Sequence, residues 1–306
     1  MRNTCLNQVH ELARKDPRIL FLGSDLGAGT LQAFREELPE QFLMEGISEQ
    51  ALVGMAAGLA LEGRVVYLNT IATFLTRRCY EQLALDLCLH KAKVRLIGSG
   101  GGLVYAPLGP THQATEDIAI LRPLPGMGIL APADATEMKR LMPTTVDYDG
   151  PLYIRLGKGG DPVVTPDEPF VLGAPVVLRS GRNILLITTG TAASLALKTA
   201  DLLAASGHEP GVLHLPTLKP LDLEALKAHL APMRAVLTLE EHHRTGGLGS
   251  LVAEVLAEES FPVPKRFARL GLPDAFAEGY GSQASLMTAC GLHVEAAVAT
   301  VQRLLV

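Results

Sequence analysis

Three stretches of this 306-residue sequence carry side chains whose types and spacing could do chemistry. In the first, Gly46-Ile47-Ser48-Glu49-Gln50 leads into the small-residue run Gly54-Met55-Ala56-Ala57-Gly58. Ser48 suits a helix N-cap, which puts Glu49 in the first turn. Small residues at 54 to 58, with Ala60, let that helix come close to a neighbour. No Lys or Arg stands within four residues on the same face, so no local ion pair is expected for Glu49. In an apolar site such a carboxylate could share a proton with a ring nitrogen. The plainer alternative is that Glu49 only favours the positive end of its helix.

The second stretch is glycine-rich, Gly98-Ser99-Gly100-Gly101-Gly102-Leu103, and runs on to Gly109-Pro110-Thr111-His112-Gln113. It follows an expected strand, so it should open at the C-terminal edge of a sheet, where α/β proteins bind ligands. It matches neither G-x-G-x-x-G opening a helix nor a P-loop with its Lys. Glycines there permit close backbone approach, and His112 could exchange protons near neutral pH. A lone loop histidine can equally be structural. The third stretch, Glu240-Glu241-His242-His243, resembles a metal site only superficially. Neighbours on a strand end point in alternating directions and no third ligand group is near in sequence, so metal is set aside.

The elements that must position these groups follow from periodicity. Short apolar or β-branched runs alternate with helical patterns, as in βαβ units around parallel sheets. Expected strands are Ile19–Gly23, Val65–Thr70, Val94–Gly98, Met127–Ala131 and Leu152–Arg155, with helices over Thr4–Lys15, Ser48–Glu62, Arg78–Leu89 and Ala133–Val146. Residues rich in Gly, Pro and Asp then break the pattern and read as a linker. A second block has expected strands Ile184–Thr189, Gly211–Leu215, Ala235–Glu240 and Arg266–Leu270. Its expected helices are Thr191–Ala205, Gly247–Ala257, Ser282–Cys290 and His293–Leu305. The length allows two domains, each with its own core. A hydrophobic share of 48% against 19% charged argues for a globular rather than a disordered chain. A net charge of -5, without a long basic run, argues against a nucleic-acid partner. The N-terminus does not read as a signal region, and no apolar stretch is expected to approach the roughly 18 to 20 residues that cross a membrane. Four cysteines without a C-x-x-C pair fit a reduced, cytoplasmic protein.

Taken in order, these motifs resemble the transketolases. The resemblance rests on Glu49 within GISEQ, Ala72-Thr73-Phe74-Leu75, Tyr80-Glu81-Gln82, Gly109-Pro110-Thr111-His112 with Glu116-Asp117, and Ala131-Pro132-Ala133-Asp134. Later come Glu240-Glu241-His242, Gly246-Gly247-Leu248-Gly249-Ser250 and Cys290-Gly291-Leu292 with Val294-Glu295. The stretches around Phe74 and Tyr80 are similar to split transketolases and 1-deoxyxylulose-phosphate synthases. The resemblance implies two consecutive three-layer α/β domains with mostly parallel sheets. Residues 1–160 would form a thiamine-diphosphate pyrimidine-binding domain, 161–172 a linker, and 173–306 a transketolase C-terminal domain.

The family's function would then be transfer of a two-carbon ketol unit from a ketose to an aldehyde through thiamine diphosphate. Glu49 matches the family's carboxylate at the aminopyrimidine ring, and Phe74 an aromatic face of that pocket. His112 matches a histidine near the substrate hydroxyls. Asp25 and Leu26 match a pair lining the cofactor cleft, though an Asp ending a strand is often a turn former. Full-length members bind the diphosphate through Mg2+ with a G-D-G motif, and this sequence has none. The resemblance therefore implies a separate subunit carrying the diphosphate-binding domain, in a heterotetramer with two copies of this chain. Two further readings stay open: the beta subunit of a 2-oxoacid dehydrogenase decarboxylase, and a non-catalytic assembly or regulatory paralogue. For the substrate, the family's phosphate-holding Ser falls at Gly29 and its His at Gly100, while an Asp that reads an acceptor hydroxyl falls at Leu108. Only the family's phosphate-holding Arg has a plausible counterpart, Arg155, which points to an unphosphorylated or otherwise unusual ketose or acceptor.

Overall fold

The computed structural model describes residues 1–24 and 28–306. The first block runs α1 (Arg2–Ala13), β1 (Ile19–Ser24), α2 (Ala28–Glu37), β2 (Phe42–Glu45), α3 (Glu49–Leu61), β3 (Val65–Ile71) and α4 (Ala72–Arg78). It continues with α5 (Tyr80–Gln82), which passes into a π-helical turn over Leu83–Leu89, then β4 (Val94–Ser99), α6 (Asp117–Leu121), β5 (Gly128–Leu130), α7 (Ala135–Thr144) and β6 (Leu152–Leu156). The second block holds β7 (Val176–Arg179), β8 (Ile184–Thr188), α8 (Ala192–Ala205), β9 (Pro210–His214), β10 (Thr217–Lys219), α9 (Leu223–Leu230) and β11 (Ala235–His243). It ends with α10 (Leu248–Glu258), β12 (Arg266–Leu272), α11 (Gln283–Ala289) and α12 (Val294–Leu305).

The first sheet has the order β10-β5-β6-β4-β3-β1-β2, parallel throughout except where β10 meets β5. Its strands are buried along their whole length, except at edge β2 and at the ends of β3 and edge β10, because helices cover both faces. One face packs Leu6 and Val9 of α1, Phe34 of α2 and Met138 and Leu141 of α7 against Phe21, Tyr67 and Ile154. The other face packs Leu52 and Val53 of α3, Leu75 of α4 and Ile118 of α6 against Leu22, Leu68 and Leu96. That second core continues into the other block through Ile187, Leu215, Val236 and Leu248. The second sheet has the order β12-β11-β8-β9-β7, with only β7 antiparallel. Both sheets are thus mostly parallel and helix-covered, as expected from the sequence.

Besides elements that the sequence did not announce, such as α2, β2, α6, β7 and α9, three further features depart from expectation. Strand β10 comes from the second block but pairs with β5 of the first sheet, Thr217 opposite Leu130, so the two blocks are stitched by hydrogen bonds as well as by a shared core. The expected helix Arg78–Leu89 is broken: α4 already ends at Arg78, and Cys79 leaves the helical region at φ −106° before α5 begins. At the C-terminus, the stretch Gln283–Leu305 is long and apolar enough on average to cross a membrane, at mean hydropathy 1.4. This corrects the expectation that no stretch approaches that length. The chain divides it at Gly291, which takes φ 76°, into α11 and α12.

Candidate active site

Glu49 opens α3 and is 2% exposed. Ser48 holds the N-cap position, but its side chain makes no capping bond, contrary to expectation. The ion pair of Glu49 is not a local one: Arg78, 29 residues further on, reaches the carboxylate from the end of α4, and Nη1 donates to Glu49 Oε2 at 2.6 Å. The Arg78 guanidinium in turn lies over the Phe74 ring, 4.5 Å from its centroid. Phe74 meets the His112 ring edge-on, with centroids 5.1 Å apart. His112 Nδ1 shares a 2.8 Å hydrogen bond with Thr111 Oγ1. Glu49, Phe74 and His112 are therefore joined through Arg78 in one continuous line of contacts. Among the described residues, Ser48 Oγ, Thr73 Oγ1 and Gln113 Nε2, on the residues beside them, are buried without a hydrogen-bond partner. Asp25 and Leu26, expected to line the same cleft, lie outside the described residues.

The glycine run after β4 serves close approach, but the groups that approach are the protein's own side chains. A methyl group at Gly100 would overlap the Tyr105 ring. One at Gly101 would come within 2.7 Å of Arg155 Nε, and one at Gly102 within 2.5 Å of Glu241 Oε1. Gly100 and Gly102 also need positive φ, 84° and 65°, which favours glycine independently. Gly100 is thus accounted for by a neighbouring aromatic ring that fills the space of a side chain.

Arg155 has a different setting from the substrate-facing one expected of it. Its side chain is 7% exposed, and Nε donates to Asp117 Oδ2 at 2.8 Å. Nη2 donates to the carbonyls of Ala114 and Glu241, at 3.2 and 2.9 Å. Asp117 accepts a further bond from the Tyr153 hydroxyl at 2.7 Å. Burial is the largest influence and works against both charges, but the partner's charge, the hydrogen bonds and the other nearby charges together outweigh it, holding Asp117 below and Arg155 above their ordinary ranges. The guanidinium is already ion-paired and turned into the boundary between the domains.

The end of β11 is equally committed. Glu240 accepts the amides of Leu248 and Gly249 at the start of α10, at 2.7 and 2.8 Å. Burial pushes its carboxyl up to about 7, only partly offset by those two donors. Glu241 accepts Leu103 N–H at 2.6 Å and the Gln283 amide at 2.8 and 3.0 Å. Burial pulls His242 down to about 4, so its ring is neutral. The neutral ring donates from Nδ1 to the His243 carbonyl at 2.7 Å, and Nε2 accepts Ala119 N–H at 3.2 Å. The four side chains go to separate partners instead of converging on one point.

Sequence reasoning missed Arg78 and Tyr105, and met Asp117 only as part of a motif, without its pairing to Arg155. Arg78 stood at an expected helix start, so its reach back to Glu49 was hidden by a misplaced boundary. Tyr105 had one signal, the need for Gly100 opposite an aromatic residue, which only the folded loop makes readable.

Known proteins share this architecture. Residues 1–160 match the transketolase pyrimidine-binding domain model, and residues 173–296 match the transketolase C-terminal domain model. A subunit of the apulose-4-phosphate transketolase of Phocaeicola vulgatus is 38% identical over 276 residues, spanning 89% of this chain and 87% of that protein. The 6-deoxy-6-sulfo-D-fructose transketolase subunit SqwH of Clostridium sp. strain MSTE9 is 35% identical over 282 residues, spanning 91% and 86%. A solved split-gene transketolase, described as an inactive beta4 tetramer, matches with TM-score 0.90 at 36% identity, over 99% of this chain and 97% of that one. Motif order, paired domain models and fold agree along nearly the whole length: the chain belongs to the transketolase family and carries its pyrimidine-binding and C-terminal domains.

Proposed function

We propose that this chain is one subunit of a split, thiamine-diphosphate-dependent transketolase that moves a two-carbon ketol unit from a ketose to an aldehyde. The carrying observation is the line of contacts from Glu49 through Arg78 and Phe74 to His112. These residues fit the aminopyrimidine end of the cofactor: among the described residues, a buried carboxylate with one cationic partner, a flat aromatic face, and polar atoms without partners on the adjoining residues. When bound, thiamine diphosphate supplies a centre that stabilises a carbanion on the transferred fragment. Glu49 holds a proton at a ring nitrogen, in competition with Arg78 for the same carboxylate. Phe74 packs on the ring and keeps water from it. His112 moves a proton at the substrate hydroxyls.

We assign the diphosphate and Mg2+ to a partner subunit, in a heterotetramer with two copies of each chain. The naming of two relatives as subunits supports this. For the substrate we favour an unphosphorylated or otherwise unusual ketose or acceptor. Tyr105 takes the space of a side chain at position 100, and Asp117 neutralises Arg155, leaving neither free for a phosphate. Each charge-assisted contact withheld from a phosphate costs about 1.5 to 3 kcal/mol. The test is to reconstitute the chain with its partner and compare kcat/KM for xylulose 5-phosphate with that for unphosphorylated and modified ketoses. The expected result is activity in the pair alone and a preference for the unusual sugars. Turnover by this chain by itself would overturn the split reading, and a strong preference for pentose phosphates would overturn the substrate reading.

A further inference from the structure

The loop that carries His112 is closed at its neck. Gly102 N–H donates to the Ala114 carbonyl at 2.8 Å, and Ala114 N–H returns the bond to Gly102 at 3.0 Å. At the neck, the end of β11 in the second domain holds both sides of the loop. On one side Glu241 accepts Leu103 N–H. On the other, Arg155 bridges the Ala114 and Glu241 carbonyls, and His243 N–H donates to the Thr115 carbonyl at 2.8 Å. The Glu241 carboxylate is itself held by Gln283 Nε2 at the start of α11 and by Thr191 Oγ1 at 3.3 Å. It lies in the space left by the missing side chain of Gly102.

A carboxylate fixed by donors from α11 and from the approach to α8 cannot drift with the loop. Two loop glycines are shaped around Arg155 and Glu241, so the register between loop and second domain is set at the backbone. We infer that Glu241 is a positioning residue: from the second domain its carboxylate clasps the neck of the His112 loop and so sets where that imidazole stands. The inference rests on the reading of His112 as the group that moves protons at the substrate. It gives the second domain a part in turnover although none of its side chains enters the line from Glu49 to His112.

The test is a double-mutant cycle in the reconstituted enzyme, joined to hydrogen exchange on this chain. Glu241→Ala should slow kcat on the order of 10²-fold, the scale of a misplaced catalytic group. Placed on His112→Gln, it should add nothing further, because both changes remove one function. Amides between residues 103 and 113 should exchange faster in Glu241→Ala while those of β1 and β3 keep their protection. Should Glu241→Ala fold poorly, Glu241→Gln keeps the shape and one acceptor oxygen but sets an amide against Gln283, and should show the same pattern in weaker form. Fully additive effects on kcat, or unchanged exchange in the loop, would overturn the inference. Normal turnover by His112→Gln would instead overturn the role of His112, and loop exchange would then decide the clasp by itself.

Discussion

Glu49 and Glu241 are buried almost equally, 2% and 3% exposed, yet they sit in opposite kinds of surroundings. Glu241 has donors from three separate segments, among them a backbone amide and a side-chain amide. Its neighbour Glu240 caps α10 through two backbone amides. Among the described residues the Glu49 carboxylate has one hydrogen-bond partner, the Arg78 guanidinium, whose own side chain is 44% exposed. Burial alone therefore does not separate the carboxylate we propose to serve the cofactor from one that holds the fold. What separates them is who holds the group. Donors fixed in the fold occupy both oxygens of Glu241, whereas one long and half-exposed partner can be displaced.

The comparison breaks most sharply at Arg155. If it belongs with the saturated groups, Arg155→Met should strip Asp117 of its buried counter-charge and cost about 3 to 5 kcal/mol. A shift of the denaturation midpoint would report this. An unchanged midpoint with a raised KM would return Arg155 to the substrate site.

A smaller effect sharpens the description of β11. The folded value of about 7 for Glu240 lies above the roughly 4.3 of an exposed glutamate. Between those values the native state holds more proton than the unfolded one, so this group's contribution to stability falls as pH rises. His242 acts in the opposite sense. Its folded value of about 4 lies below the roughly 6.5 of an exposed ring, so its contribution rises between them. The two slopes offset each other over most of this window. Glu240→Gln should remove the falling part and make stability climb more steeply with pH than in the wild type, by up to about 1.4 kcal/mol per unit. Unfolding measured across pH 4 to 7 checks the sign. Equal slopes would mean that the Glu240 carboxyl titrates alike in both states.

How much of this the sequence revealed depends on the range of the interaction. The central strands were readable because burial on both faces turns them into apolar runs, as in Val65–Ile71 and Val94–Ser99. Strands β2 and β10 were not, since one is a half-exposed edge and the other is made a strand by a sheet belonging to the other block. Glu49, Phe74 and His112 could be named from motif order. Their link through Arg78 could not, because it depends on where a helix stops. The clasp on the His112 loop joins residues 138 positions apart, so no local pattern announces it. The glycine run gave the right physics, close approach, with the wrong approaching group.

The central claim is that Glu49 is kept lightly held because it serves the cofactor ring. Its most direct test is the rate of hydrogen–deuterium exchange at the thiazolium C2 carbon of thiamine diphosphate, in the enzyme reconstituted with its partner and saturated with cofactor. Glu49→Gln keeps the size and polarity of the side chain but cannot hold the ring proton in the same way. Exchange in this variant should be slower by about two to four orders of magnitude, the range of a positioned acid–base group. Exchange at the wild-type rate in Glu49→Gln would contradict the claim.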